Sequence, residues 1–550
     1  MKKQKHLFKD LEIKGDIDAK RKTRAFYSHD TSMFEITPEC VVYPKDSHDV
    51  CQLVNYVNNQ RTKNPSISLT GRSGGTDMSG GAINDSIIVA FERYFNNIDT
   101  IHNQTIAVQP GVYYRNFEPV TLSQGLIMPS YPASREICMI GGMVANNAGG
   151  EKSLIYGKTD RYVHELKVVL RDGKEYTFAP LNKPELQNKL KESGLEGEIY
   201  RKIYDMVTKH DDLLKKTRPK VSKNSTGYNL WDVWDGHTLD ITKLIVGSQG
   251  TLGLVTEVTL KLIPAAPLTG MEVIFMPSLK NLGAIINAIL PLKPSSFESF
   301  DKHTLSFAFR FFLSFRKTLG WKRFIWLGLS FIPLLRKVLR YLPHFPEMIM
   351  LVEFEGNTQE EIDIKLQAVK DHLKDYDIET ETARDKQHEE KFWIMRRESF
   401  NLLRKNVKRK HTAPFIDDLV VPPAHLPDFL PKLNEILERY QLLYTVAGHM
   451  GDGNFHIIPL MDLTDPVERN KIPAVLQEVT DLVLRYEGSL SGEHNDGLIR
   501  GPFLDKMYPP EIIELFQETK NIFDPHNIFN PHKKLNATWE YSAAHMRKKF

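Results

Sequence analysis

The sequence predicts an α+β fold in at least two domains, on the strength of its length, the placement of its glycine clusters and a change of pattern near residue 270. At 550 residues the chain is too long for one ordinary core. Three glycine-rich segments, at 71–81, 140–150 and 246–253, fall between short β-prone runs in the first half. From Met271 onward, strand-like and amphipathic helical runs alternate.

In chain order, residues 1–45 mix charges with Phe and Tyr and read as an arm packed on the first domain. Ser47 or Asp49 is placed to cap a helix whose Val50, Leu53, Val54 and Val57 recur at helical spacing. Strands are expected at 67–69, 87–91, 105–108 and 254–262, with a hairpin of 166–170 and 175–178 turning at Asp172-Gly173. This first domain is expected over 1–265. Beyond it, 348–354 reads as a strand and 360–376 as a helix with Ile362, Leu366, Val369 and Leu373 on one face. A strand at 415–421, a helix at 427–440 and a strand at 443–447 repeat the theme. Two β-α-β-like units of this kind suggest a ferredoxin-like antiparallel cap, assigned to 266–500, with 501–550 as a C-terminal segment.

Composition narrows the function. A net charge of +3 on 72 basic and 69 acidic side chains gives no global reason to expect nucleic acid. Cys40, Cys51 and Cys138 form no C-x-x-C pair, so neither an iron–sulfur cluster nor a disulfide framework is encoded, which fits a reducing compartment. Residues 1–20 lack an apolar core, so no secretory signal is expected and the cytoplasm is the expected location. Residues 303–342 stand apart, with nine Phe and Trp side chains interleaved with Arg and Lys and no acid. Their uncharged run, 324–335, is too short to span ~30 Å of hydrocarbon, so peripheral contact with the cytoplasmic membrane face is expected, the alternative being a helical pair buried against the cap or a partner subunit.

The first glycine segment reads G-R-S-G-G-T-D-M-S-G-G. Without Cβ atoms its N–H groups can form an anion-binding nest, for which a diphosphate is the natural guest. It is neither a Walker loop nor a Rossmann helix opening. With I-G-G-M-V-A-N-N-A-G-G at 140–150, P-S-Y-P-A-S before it and V-G-S-Q-G-T-L-G at 246–253, the chain resembles flavoproteins of vanillyl-alcohol oxidase type, in the D-2-hydroxy-acid dehydrogenase branch. The resemblance runs over about 34–533, apart from the aromatic insertion.

That resemblance implies FAD, with a C-terminal segment that returns to the two-subdomain FAD-binding domain. Cofactor contacts are implied for Gly71, Arg72, Ser73, Gly74, Gly75, Thr76, Ser79 and Gly80 in the first segment, and for Pro132, Ala133 and Ser134 before the second. Gly141, Gly142, Ala145, Asn146, Asn147, Gly149 and Gly150 follow in the second, then Gly250 in the third and Asn530 in the returning segment. Relatives with a histidyl-flavin bond place a His just after the first glycine pair. Here Thr76 follows Gly74-Gly75, so FAD is expected to be non-covalent. Residues 223–230, K-N-S-T-G-Y-N-L, are similar to the family's G-Y-x-L segment beside the flavin.

The catalytic signal is G-H-M-G-D-G-N-F-H at 448–456, with S-G-E-H at 491–494, which match the family's G-H-x-G-D-G-N-x-H and G-E-H motifs. A Gly-Asp-Gly turn lets His449 and His456 converge, and with Glu493 they make a divalent-metal set, zinc or manganese, that leaves His494 as the base. Such a cation lowers the pKa of a substrate hydroxyl whose α-hydrogen leaves as hydride to flavin N5. The motif W-I-M-R makes Arg396 the first choice for the substrate carboxylate, with Arg397, Arg500 and Lys223 secondary.

Three departures from the family pattern stand out. No Lys precedes Pro422 where 2-hydroxyglutarate dehydrogenases use one, Asn495-Asp496 replace a common Gly, and Gln249 replaces an acid. The 415–422 strand and the Asn-Asp pair resemble a subgroup fused to an iron–sulfur domain, before which this chain stops. A separate iron–sulfur protein, quinone at the membrane or a soluble acceptor is therefore the expected electron acceptor. The competing readings are an alkylglycerone-phosphate synthase-like enzyme, whose triple-His run is missing here, and a non-catalytic flavin subunit, against which the intact His and Glu set argues.

Overall fold

The computed structural model describes residues 11–302, 304, 321, 346–383, 385–406 and 410–548. The expectation of membrane contact through 303–342 therefore falls, apart from Thr304 and Trp321, outside the described residues. Among the described residues no helix is long and apolar enough to cross a membrane.

The first layer is a four-stranded sheet in the order Asp16–Asp18, Cys40–Tyr43, Ile87–Ala90, Leu69–Arg72, parallel except at its first pair. Helix Ser47–Gln60 covers it with Val50, Leu53, Val54 and Val57, as the spacing predicts. Its cap is Asp46 rather than Ser47 or Asp49, the Asp46 carboxylate accepting from Asp49 N–H at 3.0 Å. Asp49 is occupied elsewhere: its carboxylate accepts the backbone N–H groups of Lys14, Gly15 and Lys45, which ties down the N-terminal arm. The strand expected at 67–69 is displaced toward the glycines. Gly71 and Arg72 pair with Val89 and Ala90, because the fully buried run Ile87–Ala90 extends the ladder that far.

A second sheet, Thr105–Val108, Leu254–Lys261, Val163–Val169, Glu175–Phe178, is antiparallel and turns at Gly173 with φ +69°. The second glycine cluster is a short helix, Ile140–Asn146, rather than a loop. Two glycines weaken a helix by propensity, but here they permit close packing. A Cβ on Gly141 would lie 2.5 Å from Pro110 Cβ.

The rest of the fold is one large antiparallel sheet in the order Glu379–Ala383, Leu268–Met276, Met348–Gly356, Ser296–Asp301, Leu443–His449, Asn454–Met461, His411–Thr412. The strand expected at 415–421 shrinks to Leu419–Val420, which also pairs with Asn454–Met461. The residues before it turn instead, Asp418 taking φ +65°. One face of the sheet, carrying Ile274, Met350, Val352, Phe297 and Val446, is buried under helices Leu282–Ile289, Gln359–Leu373, Leu426–Arg439 and Pro466–Arg485. Period-2 alternation puts Glu298, Glu353, Glu355, His449 and His456 on the other face. Lys152, from the glycine-loop side of the molecule, pairs there with Glu353 and Glu355.

The C-terminal segment returns to the first half. Helix Pro510–Phe523 buries Ile512, Leu515, Phe516 and Phe523 in the core of the second sheet, and Phe529 bridges to the edge strand at Leu69. The arm joins both halves, since Met33, Phe34 and Ile36 enter the core under the large sheet.

Helix Lys386–Asn406 lies against the carboxylate-bearing face, where Glu389 accepts from Thr269 Oγ1 at 3.0 Å. Burial first, and then the neighbouring Glu353 charge, raise Glu389 to about 7 from an ordinary 4.5. Between those values the folded chain binds more protons than the unfolded one. The group's contribution to stability is therefore complete below 4.5 and is lost as pH rises through 7. Glu389→Gln is expected to flatten the decline in Tm measured from about pH 5 to about pH 8. Parallel Tm curves for parent and variant would contradict this account of Glu389.

Candidate active site

A cavity of about 780 Å³ lies between the glycine segments and the carboxylate-bearing face of the large sheet. Small-molecule and cofactor pockets span roughly 300–1,000 Å³. Of the residues expected to hold a cofactor, those at 71–76, 132–134, 141, 142, 145, 146, 149 and 250 line it. The structure places others behind the wall. Ser79 is fully buried with its hydroxyl on Asp77, a Cβ on Gly80 would meet Phe34 and Leu498, and Asn147 closes the short helix with φ +51°. Gly150 is held against Tyr131 O, and Asn530 donates to Gly81 O and Gln249 O, which ties the first and third segments together. Arg72 turns its guanidinium to the carbonyls of Tyr27, Ala82 and His29, so it braces the loop from behind.

The fit to a large planar cofactor rests on the closeness of this backbone. A Cβ on Gly74 would sit 2.8 Å from Ile137 O, and one on Gly149 would sit 2.7 Å from Glu493 Oε2. The second contact is informative, because it sets the glycine wall directly against the expected metal ligands. Cys138 also lines the cavity, and burial pushes its thiol up to about 12, which keeps it protonated.

The two histidines of the hairpin converge. Strand Leu443–His449, the tight turn Met450–Asp452 and strand Asn454–Met461 pair Ala447 with His456 and His449 with Asn454, so both imidazoles leave the same face. Gly453 turns the chain at φ +65° where a Cβ would be 1.8 Å from Val421 O. The rings lie 5.2 Å apart, edge to face. Glu493 Oε1 is 3.1 Å from His449 Nε2 and 3.4 Å from His456 Nε2. Each imidazole has its Nδ1 on a buried carboxylate: His449 on Glu298 at 2.5 Å, His456 on Asp417 at 3.2 Å and His494 on the other oxygen of Asp417 at 2.7 Å. These partners fix the Nδ1–H tautomer and direct Nε2 inward.

Asp418, His456, Glu493 and His494 also form a group whose donor atoms lie within 4.8 Å of one another. Asp418 is already spent on the loop, accepting from Ser491 Oγ, Glu493 N, His494 N and Asn454 Nδ2. His494 stacks on His456 at 5.0 Å and contacts Asp417, whereas His449 and His456 share Glu493 Oε1. The donor chemistry suits a dication. Burial alone would lower the His456 pKa, yet Asp417 and Glu493 hold it up at about 10, and His494 is raised in the same way by Asp417 and Asp418. Glu493, which burial alone would raise, is instead held well below its usual range by Lys223 and His449. Positive charge is demanded at this point, and a bound cation would supply it in place of protons.

The carboxylate-binding candidates divide. Arg396 is buried, lines the cavity and pairs with Glu298 Oε2. Lys223 is not a clamp at the cavity wall, because its ammonium is taken by Asp452 at 3.1 Å and Glu493 at 3.3 Å. Arg500 donates to Asn495 O and Asp417 O and so holds the loop that carries Glu493. The side chain of Arg397 lies outside the described residues. Glu298 and Asp417 were missed from sequence. The available signal was an acid alternating with small and aromatic residues in S-F-E-S-F, and an acid pair inside the apolar run F-I-D-D-L-V-V.

Comparison with known proteins bears on the family and the fold. Residues 38–179 match the family model described as FAD binding domain, and residues 271–534 match FAD linked oxidases, C-terminal domain. The chain is 29% identical to D-2-hydroxyglutarate dehydrogenase of Pseudomonas putida over 525 residues, covering 94% of this chain and 50% of that protein. It is 25% identical to glycolate oxidase subunit GlcD of Bacillus subtilis, covering 94% and 93%, and 25% identical to D-lactate dehydrogenase of Archaeoglobus fulgidus, covering 88% of each. The chain thus spans about half the length of the first of these relatives. Among solved structures, an alkyldihydroxyacetonephosphate synthase superposes with TM-score 0.67 at 15% identity, covering 97% of this chain and 86% of that one. A 4-ethylphenol oxidase from Gulosibacter chungangensis superposes with TM-score 0.66 at 16% identity, covering 96% and 95%. At these identities the likeness is one of fold.

The Lys223, Asp452 and Glu493 side chains are 2%, 3% and 6% exposed. Lys223→Met leaves two carboxylates buried without their shared ammonium and is expected to cost about 3–5 kcal/mol. A lower denaturant midpoint, followed by tryptophan fluorescence, is the expected reading, and an unchanged midpoint would show that the lysine is not needed for charge balance.

Proposed function

The chain carries the FAD-binding and C-terminal domains of the FAD-linked oxidases, and from that membership we propose that it is a dehydrogenase oxidising a D-2-hydroxy acid to the 2-oxo acid. FAD is held non-covalently, and a divalent cation, zinc or manganese, is held by His449, His456 and Glu493. The observation that carries this reading is the meeting of two imidazole Nε2 atoms on one oxygen of Glu493, against a glycine wall with no room for a Cβ.

Bound FAD supplies the acceptor for the α-hydrogen as hydride, and the bound cation supplies polarisation of the hydroxyl. The chain's own groups do the rest. Arg396, braced by Glu298, orients the substrate carboxylate at the cavity wall. His494 takes the hydroxyl proton on Nε2, while Asp417 on its Nδ1 holds the ring in place and stabilises the imidazolium. Trp393, Ile394, Ala447 and Ile458 line the same cavity and exclude water from the reacting centre. A separate iron–sulfur protein, quinone or a soluble acceptor would take the electrons, and residues 303–342 would supply the contact with the cytoplasmic membrane face.

Anaerobic addition of D-2-hydroxy acids to metal-replete protein is expected to bleach the flavin absorbance, with the L-enantiomers inert. His494→Gln is expected to slow that bleaching about 10²–10⁴-fold at unchanged flavin content. A flavin that no hydroxy acid of either hand reduces would overturn the assignment.

A further inference from the structure

Glu298 joins the histidine hairpin to the arginine-bearing helix. It lies on strand Ser296–Asp301, directly opposite His449 in the antiparallel register, with its side chain fully buried. Its two oxygens are divided between two different tasks. Oε1 accepts from His449 Nδ1 at 2.5 Å, and Oε2 pairs with the Arg396 guanidinium. A histidine of the hairpin and an arginine of the helix Lys386–Asn406 are thus set against each other by one rigid, planar group on a strand between them.

We propose that Glu298 is a positioning residue that couples the cation site to the carboxylate clamp, and so fixes the spacing at which a 2-hydroxy acid is gripped. The inference rests on the function proposed above and adds to it a residue that touches neither substrate nor cofactor. In a 2-hydroxy acid the hydroxyl and the carboxylate sit on adjacent carbons. The group that binds one end must therefore stand at a short, fixed distance from the group that binds the other. A misplacement of ~1 Å at such a centre is enough to cost about 10²-fold in rate. A glutamate with both oxygens committed sets that distance, because neither partner moves without breaking its bond or dragging the other. The same carboxylate holds His449 in the Nδ1–H tautomer and makes its Nε2 a better donor to a cation. The strand adds stiffness, since Glu298 and its neighbours are paired on both sides, to Leu351 and to His449.

Glutamine cannot reproduce this arrangement. Its oxygen can serve His449 or Arg396, but its NH₂ then faces the other donor. Glu298→Gln is therefore expected to weaken Co(II) binding about 10–100-fold, the usual loss when the carboxylate behind a metal-binding histidine is removed. It is also expected to raise KM for the hydroxy acid about tenfold or more, while kcat at saturation falls less and the flavin content is retained. Co(II) is titrated alone, without hydroxy acid, against a chelating indicator, and KM is measured separately. A parent that takes up no Co(II) overturns the cation reading and the coupling with it. A parent that binds Co(II), beside a Glu298→Gln variant whose Kd and KM both stay within twofold, overturns the coupling alone. Should the glutamine variant lose its flavin on purification, Glu298→Asp keeps the buried charge with a reach one methylene shorter. It is expected to move Kd and KM upward together, and the same two unchanged values in it overturn the proposal.

Discussion

The structure depends on neutralising a knot of charge taken out of water. Glu298, Asp417, Asp418, Asp452 and Glu493 are all buried around three imidazoles, and Lys223, Arg396 and Arg500 are buried with them. An isolated buried carboxylate is so costly that each must find a partner, and here the partners lie as far as 270 residues away in the chain. Lys223 arrives on a loop of the first half, Arg396 on helix Lys386–Asn406 and Glu493 on the loop after helix Pro466–Arg485. Closing this knot brings the glycine wall and the antiparallel sheet to a single working face.

Within the knot, proton placement follows from which nitrogen faces which oxygen. All three imidazoles give Nδ1 to a carboxylate, so the chemistry is left to Nε2. Asp417 serves His456 and His494 with its two oxygens, and its own pKa falls because both rings favour its ionised form even as burial opposes it. His456 and His494 thus share one acid, while Arg396 and His449 share Glu298. Geometry is divided among pairs rather than assigned residue by residue.

Much of this was legible in the sequence, where the signal was local. The helix Ser47–Gln60, the hairpin at Asp172-Gly173 and the convergence of His449 with His456 each follow from periodicity or turn chemistry within a few residues. Readings failed where a distant partner decided the outcome. Gly71 and Arg72 look like loop residues until the ladder to Ile87–Ala90 is supplied, and Gly141-Gly142 look like a loop until Pro110 explains why a helix needs them bare. Lys223 looked like a candidate for substrate binding, since nothing near it in sequence discloses Asp452 or Glu493. Asp417 and Asp418 looked like strand residues for the same reason, their imidazole and backbone partners lying well downstream.

The return of the C-terminal segment has a consequence for how the molecule comes into being. Leu69 N–H donates to Ile528 O at 2.7 Å and Asn530 N–H to Leu69 O at 2.8 Å, while Asn530 also latches Gly81 and Gln249. An edge strand made early in synthesis therefore waits for residues made more than 450 positions later. Such long-range closure is slow, because the loop entropy must be surrendered before the contact rewards it. During translation the nascent first sheet stays unlatched at that edge, and the cofactor chamber is finished only once Ile528 and Asn530 have left the ribosome.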